Sequence, residues 1–458
     1  MPRRKNLSAE ASKKTERRSD KTCPRLLGMK DWALQDGVHF ANLMKAATRF
    51  AEFYGFAPVK TPLLESYDLF KKSSRQHGDK NFYFVEGEKG LRVVLRPEIT
   101  QSIARAYLEG NLGESGLSMR LFSVGPIFRR EKLQTGHYRE STQLDLEIIG
   151  DSKPLTEALL IAAAHNFFSR LEIKVQVQIN SLGTADCRRE YTSKLLAFYK
   201  ERGRRSKLCN QCKNNLNKNA LGLLDCREEG CLKERAEAPQ IADYLIPESR
   251  EHFAKTLEFL DELGIGYNFN PHLVRGLNYY NDTVFEFWPV NDEGEIIGKN
   301  ALGGGGRYDA MIEHLGGPAT PAVGLALGLE RILSRVKDKS LLVEAHPDDL
   351  IFVSQLGDKA KIKVLELFED LERSGFKVRQ SFASDSLKLQ LEEAQSLGAK
   401  TSLILGRKEI MDGTVLMRDM DSGAQETVVY KKIKERLARK EKLIEKKLSN
   451  RKGGGLHG

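Results

Sequence analysis

Several things are scarce or missing in this 458-residue chain. There are six cysteines, too few for a disulfide-built scaffold at this length. No apolar run reaches the about 18 residues that a membrane span needs. The opening stretch MPRRKNLSAEASKKTERRSD lacks the apolar core of a secretory signal. The expectation is therefore a cytoplasmic protein with no membrane partner. No glycine fingerprint of the G-x-G-x-x-G type stands between a strand and a helix, and the four glycines of LGGGGRYD are not followed by Lys-Ser/Thr. A dinucleotide fold and a P-loop are thereby excluded, so any nucleotide must be held by another route.

What is present suits a protein of two or three domains with ordinary cores. Hydrophobic residues make up 40% of the chain, and the net charge is +10. That charge is concentrated at the ends: residues 1–22 carry a net +5 and residues 431–458 a net +8, leaving a slightly acidic body. Basic tails attract polyanions in a salt-sensitive way, although charged termini are also often no more than solvated. Residues 1–22 read as a disordered basic tail and 431–458 as a basic helical tail.

Between the tails, apolar spacing at Val38, Leu43, Ala47, Phe50, Ala51 and Tyr54 predicts a helix stopped by Gly55. FAPVKTPLLE reads as extended, NFYFVEG and GLRVVLRPE as two strands, and ITQSIARAYLEG as a short helix. SMRLFSVGPIFRRE and STQLDLEIIG read as antiparallel strands joined by a charged loop. A periodic helix over LTEALLIAAAHNFFSRL and an alternating strand VQVQINSLG follow. Residues 185–262 are charged, helical in pattern and poor in strand signal, and read as an inserted helical module. Strand character returns at TVFEFWPV and again near GKNALGGGGRYD, and PAVGLALGLERILSRV is apolar enough to predict a buried helix. After a linker at Leu341–His346, strands and helices alternate over residues 346–430, predicting a small α/β domain with a mixed sheet.

Chemistry concentrates in a few places. Arg331 stands in an apolar stretch beside Glu330, where a guanidinium needs a partner, and a phosphate offers bidentate hydrogen bonds. FRREKLQTGHYRESTQLDLE adds Arg129 and Arg130 to a run dense in charge; it suits either a solvated face or the wall of a site for a charged ligand. LRPEIT offers Glu98 and Thr100, residue types suited to an ammonium group. Arg275 precedes the pair Tyr279 and Tyr280, which in a strand would face opposite ways. Cys209, Cys212, Cys226 and Cys231 are spaced CxxC-x13-CxxxxC, which fits a four-thiolate zinc site or, alternatively, four reduced thiols.

The order of these pieces resembles the histidyl-tRNA synthetases, class II aminoacyl-tRNA synthetases. The matching stretches are YGFAPVKTPLLE, LRPEIT, VGPIFRREKLQTGHYRE, LVRGLNYY, GGGGRYD and GLALGLERIL, spanning roughly residues 23–335. Residues 346–430 resemble the family's anticodon-binding domain. The resemblance implies an α+β fold: a catalytic domain with an antiparallel sheet flanked by helices, the helical insertion, and a C-terminal α/β domain. It implies ATP with Mg²⁺ and L-histidine as substrates, tRNA(His) as partner, a histidyl-adenylate intermediate and a homodimer joined near Pro62.

By the same resemblance, Arg129 and Arg275 act at the α-phosphate, Glu131 at adenine and Arg331 at the γ-phosphate. Glu98, Thr100 and Gln143 hold the amino acid's ends, while Glu147 and Tyr280, beside Tyr279, read its ring. Gln134 and Arg139 meet the tRNA acceptor end. The chain departs from the family's usual pattern at Ile99, His137, Thr142 and Asn278. Two other readings stay open: a non-catalytic, histidine-sensing paralogue, and a tRNA-binding protein without ligase activity.

Overall fold

The structure is a computed structural model and describes residues 24–71, 81–87, 90–114, 116–130, 138–201, 203–275, 277, 279–339, 350–381 and 384–440. The tail 1–22, the linker at Leu341–His346, residues 441–458, and Glu131, Gln134, His137 and Asn278 lie outside the described residues.

An eight-stranded sheet organises the larger part. Its order is Ala57–Pro58, Met119–Phe128, Glu140–Ile149, Ala322–Gly328, Gly303–Arg307, Asn281–Pro289, Val175–Ser181, Tyr267–Phe269. Inner neighbours run antiparallel, and the outermost strand at each end runs parallel to the one beside it. Helices Leu34–Phe53 and Leu155–Arg170 supply the core against one face of the sheet. There Leu43, Ala47, Phe50 and Phe168 join Leu144, Leu146, Ile148, Val323 and Phe285 in one buried cluster. Val38, expected on the apolar face of the first helix, is instead 52% exposed, and burial on that helix begins at Phe40.

One sequence expectation changes here. PAVGLALGLERILSRV is not one helix. Ala322–Gly328 is a central strand and only Leu329–Leu333 is helical. A short, wholly apolar run does not distinguish a buried strand from a buried helix, and here Gly324 and Val323 suit the strand. The four glycines form a strand too, paired on both edges.

The smaller part is a five-stranded sheet in the order Lys377–Gln380, Leu350–Gln355, Thr401–Leu405, Thr414–Asp419, Gln425–Val429. Its first three strands are parallel and the rest antiparallel, giving the mixed sheet. The last strand carries Gln425 and Glu426 and gave little signal in sequence. Helix Asp358–Arg373 packs this part onto the larger one. Phe368 lies 4.6 Å from Phe53 between ring centroids. The Tyr54 hydroxyl donates to Glu369, and Asn166 donates to Tyr54 (3.0 Å) and to Glu372 (3.2 Å). No helix among the described residues is long and apolar enough to cross a membrane.

The segment between the strands Val175–Ser181 and Tyr267–Phe269 is built of helices, the longest being Ala185–Lys200 and Pro247–Glu262. It is less poor in core than its composition suggests. Leu208, Leu216, Leu223 and Leu224 are buried with Tyr191, Tyr199, Tyr279 and Tyr280 in a second apolar cluster.

Candidate active site

Strand Glu140–Ile149 is the key to the site. Its side chains alternate between two faces. Leu144, Leu146 and Ile148 pack in the core. Gln143 and Asp145, on the opposite face, line a cavity of about 340 Å³. The same cavity is lined by Glu98, Thr100, Arg129, Arg275, Tyr279, Tyr280 and Arg331. Residues separated by more than 230 positions in the chain thus share one hollow. The opening ambiguity about the charged stretch is resolved for its strand portion, which is a cavity wall.

Four guanidinium groups border this hollow, those of Arg129, Arg227, Arg275 and Arg331. Arg129, just past the end of strand Met119–Phe128, donates from Nε to the Pro97 carbonyl at 2.7 Å. Arg275 donates to Glu286 Oε1 at 2.8 Å. Burial opposes its charge, but Tyr280 and Glu286 outweigh burial and raise its pKa. Arg331, in the short helix after the Ala322–Gly328 strand, donates to the Ala301 carbonyl at 3.0 Å. The glycine strand makes room for them: a Cβ on Gly304 would stand 2.6 Å from Arg275 Nη1. These glycines let a side chain lie flat across the sheet.

Set against the cations are three buried carboxylates. Glu98 accepts a hydrogen bond from the Tyr279 hydroxyl at 2.9 Å. Its other oxygen, both oxygens of Asp145, Oε1 of Glu147 and Oε1 of Gln143 have no hydrogen-bond partner among the described residues. Buried acceptors are normally satisfied, so such a cluster of exceptions calls for an explanation. Burial pushes Glu98 up to about 7, against Tyr279, Arg129 and Arg275. Burial and then the Glu98 charge push Asp145 up to about 8. Burial, reinforced by Asp145, raises Glu147 well above the usual carboxylate range.

Glu147 stands behind the wall rather than on it. The Tyr308 hydroxyl donates to it, and the missing Cβ of Gly324 gives it space. Tyr279 and Tyr280 are not in a strand and do not face opposite ways. They precede strand Asn281–Pro289, with ring centroids 4.7 Å apart, and both reach the cavity. Arg139 lies outside the lining and donates to the Leu27 carbonyl at 3.2 Å. At two departures from the usual pattern, Ile99 is fully buried and the Thr142 N–H donates to Glu330 Oε1 at 2.8 Å. Sequence reasoning missed Asp145, Glu286, Trp288 and Tyr308. The alternation Gln143, Asp145, Glu147 was a usable signal for the first; Tyr308 was hidden behind the glycines it follows.

The four clustered cysteines meet in the helical insertion, with their sulfurs all within 4.8 Å of one another. Cys209 Sγ and Cys226 Sγ are 3.9 Å apart. Zinc–sulfur bonds of about 2.3 Å in a tetrahedron place sulfurs about 3.8 Å apart, so the donors fit that ion. The Cys212 N–H donates to Cys209 Sγ at 3.4 Å and the Cys209 N–H to Cys231 Sγ at 3.2 Å. Backbone donors of this kind orient metal-ligating groups. Gly230 permits the approach, since a Cβ there would sit 2.5 Å from the Lys207 carbonyl oxygen.

A largely antiparallel sheet whose open face carries a cavity lined by arginines and carboxylates, followed by a small mixed-sheet domain, is the architecture of a class II aminoacyl-tRNA synthetase. The histidyl-tRNA synthetase family profile matches residues 28–332, and an anticodon-binding-domain profile matches residues 350–440. A histidine–tRNA ligase of Dehalococcoides mccartyi is 36% identical over 405 residues, covering 88% of this chain and 96% of that protein. One from Desulforudis audaxviator is 38% identical, covering 90% and 97%. The crystal structure of apo S. aureus histidyl-tRNA synthetase superposes with a TM-score of 0.55 at 27% identity, covering 90% of this chain and 99% of that one. The chain belongs to the histidyl-tRNA synthetase family of ligases.

Proposed function

We propose that the chain joins L-histidine to tRNA(His) in two steps. The histidine carboxylate attacks the α-phosphorus of ATP and expels pyrophosphate, leaving histidyl-adenylate. A terminal ribose hydroxyl of the tRNA then takes the histidyl group and AMP departs. Both steps gain from positioning and from cations set where charge develops on phosphate oxygens. The observation that carries this reading is that Arg129, Arg275 and Arg331 share one cavity with buried carboxylates that have acceptor oxygens to spare.

In this reading Arg129 and Arg275 meet the α-phosphate and Arg331 the γ-phosphate. Glu131 faces the adenine, and Gln134 and Arg139 lie toward the tRNA end. Glu98, Thr100 and Gln143 hold the amino acid's ends, with Asp145 added as a second carboxylate for its ammonium. Tyr280 and Tyr279 face the imidazole, and Glu147, behind the wall with Tyr308, backs that end of the cavity. Mg²⁺ would accompany ATP, and the cavity carboxylates Glu286 and Glu330 would hold it, adding positive charge beside the phosphates. Zinc is the ion proposed for the four thiolates.

A homodimer is part of the proposal. It is supported by exposed Leu63, Leu64, Phe84, Val85 and Leu91, which gather on the three-stranded sheet Leu64–Ser66, Val93–Leu95, Phe84–Val85. A cytoplasmic setting is proposed with it. The test is ATP–pyrophosphate exchange run with each amino acid in turn. Exchange driven by histidine alone is expected. No exchange with histidine, while tRNA still binds, would move the assignment to a binding protein.

A further inference from the structure

The strip of chain that carries the third thiolate also walls the cavity. Asp225 and Arg227, on either side of Cys226, both line it. A second hollow bordered by Cys209, Cys212 and Cys226 opens alongside and shares Asp225, Arg227 and Arg275 with the first. From Arg227 a line of contacts runs inward. Its guanidinium stands 5.8 Å from the Trp288 ring centroid and donates to the Lys299 carbonyl. Trp288 Nε1 donates to Glu286 Oε2 at 3.0 Å, and Glu286 Oε1 accepts from Arg275 at 2.8 Å. The strip itself belongs to neither a helix nor a strand, lying between the turn Leu221–Leu223 and helix Glu229–Ala236. The Cys226 N–H ties its near end to the Leu223 carbonyl at 3.2 Å, and beyond that the Arg227 side chain makes the contacts just described.

We infer that Cys209, Cys212, Cys226 and Cys231, gathered on one zinc ion, clamp the Asp225–Arg227 strip as a wall of the cavity. Arg227 is thereby held over Trp288, and the Glu286–Arg275 pair is kept in place at the phosphate-binding end. Arg227 acts in this as a positioning residue. The inference rests on the proposed reading of the cavity as an ATP site. Without the ion, four thiols bound by weak contacts leave the strip free to move, and small displacements in such a site carry large kinetic costs.

The test uses the full chain. Zinc is quantified on metal-free-handled protein, and cobalt is exchanged into the site to read its absorption. KM for ATP and for histidine are then compared among wild type, chelator-stripped protein and Arg227→Ala. The expected results are about one equivalent of zinc and cobalt bands of a tetrahedral thiolate site. Stripping and Arg227→Ala should each raise the KM for ATP about tenfold, leave the KM for histidine within about twofold, and, for Arg227→Ala, keep the zinc. Arg227→Lys, which retains a cation over the indole, should recover part of the loss. Less than half an equivalent of zinc, or no thiolate bands, overturns the metal site. Zinc present with ATP KM unchanged in both stripped protein and Arg227→Ala overturns the clamp. Absence of any exchange in zinc-loaded wild type overturns the proposed function, and the ATP part of this inference with it, while zinc content and cobalt bands still decide the metal site.

Discussion

Two groups of buried carboxylates in this molecule are treated in opposite ways. Glu157, fully buried, is gripped by Arg307 through two hydrogen bonds of 2.8 and 2.7 Å and by His252 at 2.5 Å. Burial works against its charge, yet Arg307 and His252 outweigh burial and hold it down at about 2. Glu98 and Asp145 are equally buried, but burial wins and their pKa values rise to about 7 and about 8. The first group is finished by the fold itself. The second keeps acceptor oxygens unpaired and points them into a cavity. The partnered charge of Glu157 serves the fold, whereas the unpartnered carboxylates of Glu98 and Asp145 face a cavity and suit a cationic ligand.

The widest break in this comparison comes from Arg307→Leu, which strands the Glu157 charge. It should destabilise the fold by about 3–5 kcal/mol in denaturant unfolding, since removing one partner of a buried pair leaves the other uncompensated. Next is Arg275→Ala. It should lower histidine-dependent exchange by about 10²- to 10³-fold with little change in melting temperature. Near-normal exchange would remove Arg275 from the phosphate site. Glu98→Gln and Asp145→Asn should each weaken histidine binding by about tenfold or more while leaving ATP affinity nearly unchanged. Calorimetric titration of each ligand separates the two.

The smallest effect is in pH. Glu98 and Asp145 have raised folded-state pKa values, so their contribution to stability is complete below about 4 and is lost as pH rises through about 7 and 8. Glu157 has a depressed value, so its contribution is present above its ordinary 4.5 and is lost as pH falls toward about 2. The protein without substrates should therefore lose melting temperature as pH rises from about 4 to about 8, with a slope of at most about 1.4 kcal/mol per pH unit for each group. Glu98→Gln should flatten that slope and leave the acid limb unchanged.

Much of this was legible in sequence, for identifiable reasons. The strand pair Met119–Phe128 and Glu140–Ile149, the helices at Leu34–Phe53 and Leu155–Arg170, and the alternating C-terminal elements follow from apolar period. The gathering of Arg129, Arg275 and Arg331 did not follow from any local pattern. It came from motif order, because contacts between strands so distant in the chain leave no periodic trace. Ala322–Gly328 was misread because burial on both faces erases alternation. Asp145 was passed over although it sits in phase with Gln143 and Glu147. Tyr279 and Tyr280, which in a strand would face opposite ways, stand just before the strand that begins at Asn281.

The most direct measurement counts protons. Histidine binding is followed by calorimetry at pH 7.5 in buffers of different ionisation enthalpy, for wild type and Glu98→Gln. If an ammonium docks on Glu98 and Asp145, those carboxyls must shed protons as it arrives, so wild type should release protons and Glu98→Gln should release fewer. Histidine binding with no proton release, or with the same release in both proteins, would contradict the assignment of the unpaired carboxylates to the amino acid.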